Sequence, residues 1–98
     1  MKKEILARGP ISCAIAVTSN LYDKYKPGMI WSEPMWYPQL NHAVAVVGWG
    51  VQDGTEFWVV RNSWGVSWGD RGYFYLKMYQ DNLGIETGCD WAVPVPNF

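Results

Sequence analysis

Residues 41–72 read Asn-His-Ala-Val-Ala-Val-Val-Gly-Trp-Gly (41–50), Val-Gln-Asp-Gly-Thr-Glu (51–56) and Phe-Trp-Val-Val-Arg-Asn-Ser-Trp-Gly-Val-Ser-Trp-Gly-Asp-Arg-Gly (57–72). Two apolar runs flank an Asp53-Gly54 dipeptide, the pattern of an antiparallel hairpin. The chain's one histidine, His42, stands at the entrance of the first run, and Asn62 at the exit of the second. Side chains alternate faces along a strand, so His42, Val44 and Val46 share one face, and Trp58, Val60 and Asn62 share a face of the next. A strict two-residue turn at Asp53-Gly54 pairs residues with odd sums and puts His42 and Asn62 on opposite faces. An odd-length loop or one bulge restores parity, and Gly48, Gly50 and Gly54 all permit it. A three-residue loop ending in a left-handed Gly54 centres the hairpin on Gln52 and sets His42 opposite Asn62; this is the expected register.

An imidazole beside a neutral carboxamide suits a thiol nucleophile. The amide oxygen accepts from one ring N–H and fixes the ring, while the other nitrogen is left to exchange a proton with sulfur. Read from period and spacing alone, the same histidine is more readily a satisfied polar residue at a strand end.

Working outward, Ile11, Cys13, Ile15 and Val17 alternate with the small Ser12, Ala14 and Ala16, a core strand whose second face meets something close by. Ahead of it, Met1 to Arg8 has a short helical pattern that Gly9-Pro10 ends. Asn20 to Pro27 is polar, with room for one helical turn; Met29 to Trp31 reads as a short strand and Ser32 to Gln39 as a surface loop. Gly72 to Met78 alternates again, and Asp81 to Gly88 is a turn-rich connection to a closing Trp91 to Val95 segment. The expectation is four or five strands and little helix.

The 98 residues form one small domain or part of a larger one, 49% apolar and 17% charged, a globular composition. Eight basic against nine acidic residues give a net charge of -1, which argues against nucleic acid or an anionic membrane as partner. No apolar run reaches membrane-spanning length. Seven tryptophans and six tyrosines serve either as packing with a polar handle or as an aromatic, sugar-binding type of surface. Two cysteines and one histidine without close spacing make no metal site, and no cofactor fingerprint is present, so no metal or cofactor is expected.

Several ordered blocks carry a resemblance. Asn41-His42-Ala43-Val44, Val47-Gly48-Trp49-Gly50, Phe57-Trp58, Arg61-Asn62-Ser63-Trp64-Gly65 and Trp68-Gly69-Asp70-Arg71-Gly72-Tyr73 resemble the histidine and asparagine blocks of papain-like cysteine peptidases. Gly9-Pro10-Ile11-Ser12-Cys13, Arg61 before Asn62, and Asn82-Leu83-Gly84-Ile85-Glu86 followed by Cys89 are most similar to the cathepsin X (cathepsin Z) branch.

The resemblance implies an α+β family fold in which residues 1–98, mainly β, form the antiparallel β-barrel-like half. It implies His42 as catalytic base and acid, Asn62 as its orienting partner, and Trp64 as the ring shielding their hydrogen bond. Trp64 and Trp68 then line the leaving-group side of a cleft, Ala43 walls a specificity pocket, and Cys13 and Cys89 form a disulfide in a lysosomal or secreted setting. Peptides or proteins are the implied substrates.

The family's nucleophile lies in a Cys-Gly-Ser-Cys-Trp-like segment on the order of a hundred residues or more before the histidine. Only 41 residues precede His42. Neither Cys13, within a strand, nor Cys89, in a turn, has the helix start or flanking cations that lower a thiol pKa. The expected partner is therefore the cysteine-bearing helical half of the same enzyme, and residues 1–98 by themselves are expected to be inactive. The alternative is a catalytically dead peptidase-like module that binds peptides or a partner protein.

Overall fold

A computed structural model describes residues 1–35 and 39–90. Its centre is the hairpin of β3 (His42–Gln52) and β4 (Thr55–Arg61). The loop is the two-residue Asp53-Gly54 turn, with φ of 52° and 81° at its two positions and Gln52 paired to Thr55. Two consecutive left-handed residues match the strand twist, and glycine adopts the second without steric cost. The three-residue loop expected from the sequence is thus corrected. Parity is restored instead by a bulge between Val46 and Gly48: the pairs from Gly48↔Val59 to the turn are followed by Val46↔Val60 and Ala45↔Arg61, which leaves Val47 unpaired. Continued by one residue, that register sets Asn62 abreast of Val44, one pleat from His42 and on the same face.

Around the hairpin a six-stranded sheet runs in the order β2-β5-β4-β3-β1-β6, with β1 (Ile11–Ile15), β2 (Ile30–Trp31), β5 (Tyr73–Lys77) and β6 (Cys89–Asp90). All neighbours are antiparallel except β2 and β5. The chain is mainly β, as its sequence implies, but no strand pair among the described residues closes the sheet, so barrel-like holds only loosely.

One sheet face is the core. Ile11, Cys13 and Ile15 alternate inward from β1, Val44 and Val46 from β3, Phe74 and Leu76 from β5, joined by Trp58 and Val60. Fully burying each such aliphatic or aromatic side chain contributes about 1.5–3 kcal/mol. Ser12 and Ala43 are exposed on the other face.

Two helices flank the sheet. The first, α1 (Lys2–Arg8), buries Ile5, and α2 (Ser19–Lys24) begins where Thr18 Oγ1 accepts the Leu21 N–H at 3.2 Å and buries Leu21. Past β5 the chain takes left-handed conformations at Tyr79, Gln80, Asp81, Leu83 and Gly84. The fully buried Asn82 holds this turn, donating to the Lys77 and Tyr79 carbonyls and accepting from Ser32 Oγ and Glu33 N. Glu86 fixes it from the far side, accepting from Tyr79 N, Asp81 N and Trp58 Nε1.

The expected turn-rich connection therefore contains a one-turn helix, α3 (Ile85–Gly88), that the sequence reading did not separate. Its end is packed on β1: a Cβ at Gly88 would overlap the Ala14 carbonyl oxygen. That is the close neighbour that the small residues of β1 anticipate. Cys13 and Cys89 face each other across β1 and β6 and are joined by a disulfide. The expected Trp91–Val95 segment lies outside the described residues.

Candidate active site

His42 is the first residue of β3, and β1 holds its backbone. It pairs with Ile15; next to it Asn41 N donates to Ile15 O at 3.0 Å, and Asn41 Oδ1 accepts the Val17 N–H at 3.0 Å. Asn62 follows β4 directly, and its N–H donates to Gly72 O at 2.9 Å. Its side-chain oxygen lies 2.6 Å from His42 Nε2 and also accepts the Ser63 N–H at 2.8 Å. The bulge at Val47 is what allows this meeting, since without it the two side chains leave opposite faces of the hairpin.

A carboxamide oxygen only accepts, so Nε2 carries a proton and Nδ1 is the basic nitrogen of the neutral ring. The second donor, from Ser63, fixes which amide atom faces the imidazole. Asn62 Nδ2 is buried and has no hydrogen-bond partner among the described residues.

Trp64 stacks on the imidazole, with centroids 5.2 Å apart and planes at 27°, and so covers one side of the His42–Asn62 pair. Its ring meets Trp68 edge-on at 4.7 Å and Tyr22 edge-on at 5.2 Å. Trp68 is 9% exposed, and its indole N–H donates to Tyr22 O at 3.1 Å. It therefore lies within the core beneath Trp64. Ala43 alternates away from His42, exposed, and is paired with Ala14 on β1.

The hairpin thus brings His42, Asn62, Trp64 and Trp68 together, while Ala43 sits on the other sheet face. Sequence reasoning missed Tyr22, Ser63, Gly72 and Tyr25. Tyr25 is buried and stacks on Trp68 at 5.5 Å, and burial pushes its phenol above the ordinary tyrosine pKa, which keeps the hydroxyl a donor. The two cysteines of the sequence are both consumed in the Cys13–Cys89 bridge, so these 98 residues carry no free thiol.

Fold and site together define the class, and comparison with known proteins agrees. Residues 1–93 match the papain family cysteine protease profile; the chain belongs to that family. It is similar to a gut-specific cysteine proteinase of Caenorhabditis elegans, 39% identical over 87 residues, covering 89% of this chain and 26% of that protein. It is 35% identical to cathepsin S of Mus musculus over 92 residues, covering 93% and 27%. Its fold matches digestive procathepsin L 3 of Tenebrio molitor larval midgut with a TM-score of 0.77 and 34% identity, over 88% of this chain and 28% of that one. The chain spans about a quarter of the length of the curated relatives it matches.

Proposed function

We propose that these residues supply the base, the acid and the orienting amide of a cysteine peptidase, His42 and Asn62 acting on a thiol carried by a cysteine-bearing helical half outside residues 1–98. The observation that carries this reading is the 2.6 Å contact of His42 Nε2 with Asn62 Oδ1 under the Trp64 ring, which turns Nδ1 outward as the proton acceptor.

In the first half-reaction, Nδ1 takes the thiol proton and the thiolate attacks the substrate carbonyl carbon. The imidazolium returns that proton to the leaving amine as the C–N bond breaks and a thioester forms. In the second, Nδ1 takes a proton from water, whose oxygen attacks the thioester; the acid product leaves and the thiol is regenerated. Asn62 keeps the ring in its plane and tautomer throughout, and Trp64 excludes water from a hydrogen bond that weakens when solvated.

Trp64, backed by Trp68, forms the leaving-group side of the peptide cleft, and Ala43, with Ala14 beside it, a small apolar wall for a substrate side chain. Within the family, the Cys13–Cys89 bridge and Arg61 before Asn62 support placement in the cathepsin X branch. A bridge of this kind persists in oxidising surroundings, which supports a lysosomal or secreted location.

Mixing residues 1–98 with a cysteine-bearing half from a family member tests the reading. Hydrolysis of a fluorogenic peptide that neither part performs alone, and that a thiol alkylator abolishes, is expected. A correctly assembled pair that binds peptide without cleaving it would identify a catalytically dead, peptide-binding module instead.

A further inference from the structure

The rings around His42 form a continuous ladder. His42 stacks on Trp64, Trp64 meets Trp68 edge-on, and Trp68 stacks on Tyr25 with planes at 27°. Tyr25 also meets Phe74 edge-on at 5.9 Å and Trp31 at 6.4 Å. Tyr25 is anchored by two hydrogen bonds. Tyr25 Oη accepts the Tyr75 N–H at 3.0 Å and donates to Met29 O at 3.0 Å, so it bridges β5 and the residue that precedes β2.

A second route leads from Trp68 to the amide. Trp68 O accepts the Gly72 N–H at 2.8 Å, and Gly72 O accepts the Asn62 N–H at 2.9 Å. Trp68 is therefore the pivot shared by the imidazole and the carboxamide, and Tyr25 is the ring stacked on that pivot.

We infer that Tyr25 is a positioning residue for His42: its hydroxyl, locked between β5 and the approach to β2, sets the place of Trp68 and through it the Trp64 ring that stacks on the imidazole. Trp68 is tied through its indole N–H to Tyr22 O and meets Phe74 edge-on, while its face rests on the Tyr25 ring. The two bonds of Oη fix the ring on which that face rests. The inference rests on the reading of His42 as the base, but its geometry is testable without catalysis.

The test uses the 98-residue chain, whose single histidine gives one set of imidazole resonances. In the wild type, Trp64 stacking is expected to displace the His42 ring-proton shifts upfield. Tyr25→Phe keeps the ring and deletes both bonds, and most of that displacement is expected to vanish while the amide spectrum of the sheet persists. Trp68→Phe is expected to do the same. Ile85→Val, a buried change in α3 outside the ring ladder, serves as the control of ordinary destabilisation and is expected to leave the imidazole shifts in place.

Wild-type His42 shifts in a folded Tyr25→Phe chain would overturn the inference, as would a Tyr25→Phe chain with no folded sheet, which would make Tyr25 a requirement of the whole fold. In the enzyme assembled with a cysteine-bearing half, Tyr25→Phe is expected to lower kcat roughly three- to tenfold with little change in KM, the signature of a displaced group and not of lost binding. An assembled enzyme indifferent to His42→Ala, together with shifted imidazole resonances in Tyr25→Phe, would sink the catalytic reading and leave the ladder standing.

Discussion

Removing the Cys13–Cys89 bridge is a large perturbation whose size follows from where it sits. The two cysteines are 76 residues apart in sequence, so the bridge closes most of the described chain into one loop. In the chain-entropy model a cross-link of that span removes about 4 kcal/mol of unfolded-state freedom at 25 °C. A small domain has about 5–15 kcal/mol of stability in all, so a quarter or more of it is at stake.

The location adds to the effect. Cys13 lies in the middle of β1 opposite Val44, whereas β6 has two residues and, among the described residues, pairs only with β1. Without the bridge, β6 and the end of α3 are held chiefly by those few backbone bonds. Guanidinium unfolding of the oxidised chain and of a Cys13→Ala/Cys89→Ala double variant measures the difference. A loss of about 4 kcal/mol is expected, with the core tryptophans unfolding at a markedly lower midpoint. A loss under about 1 kcal/mol would refute the reasoning, because the entropic term does not depend on local packing. So would two free thiols titrated in oxidatively folded and then denatured protein.

Other outcomes follow from single contacts. Gly88→Ala is expected to destabilise by about 2–4 kcal/mol, since its Cβ meets backbone that cannot swing aside, and thermal unfolding reads this directly; a change within about 0.5 kcal/mol would mean that α3 packs on β1 more loosely. The raised Tyr25 pKa sets a sign at alkaline pH. Its contribution is complete below the ordinary tyrosine pKa of about 10 and is lost as pH rises through the folded value, because the unfolded phenol ionises first. Denaturation from pH 9 to 11 is expected to show falling stability, less steep in Tyr25→Phe; identical slopes would contradict the burial of that hydroxyl.

Much of this architecture was legible in the chain because its signals are local. The alternation of Ile11, Cys13 and Ile15 and that of Phe74, Leu76 and Met78 pointed to strands with buried faces, and Asp53-Gly54 marked the hairpin. The bulge was not placed because Val46 and Val47 are both apolar and precede Gly48. Alternation cannot tell which of two adjacent valines leaves the ladder; packing of Val44 and Val46 into the core decides it.

The helix α3 was hidden for a similar reason. Gly84 and Gly88 bracket three residues that read as a turn, and their order comes from Asn82 and Glu86, whose partners include Ser32, Glu33 and Trp58. His42 and Asn62 were recognisable as a pair, yet Tyr22 and Tyr25 sit in a polar stretch whose partners, Trp68 and Tyr75, lie more than forty residues further on. No local pattern announces that contact.

The most direct measurement of the central claim is turnover in the assembled enzyme for His42→Ala and Asn62→Ala beside the wild type. His42→Ala is expected to abolish nearly all hydrolysis, since the thiol loses its proton acceptor and the amine its donor. Asn62→Ala is expected to cost far less, because the imidazole remains and only its orientation suffers. The reverse ranking, or undiminished turnover in His42→Ala, would contradict the assignment of base and orienting amide to these two residues.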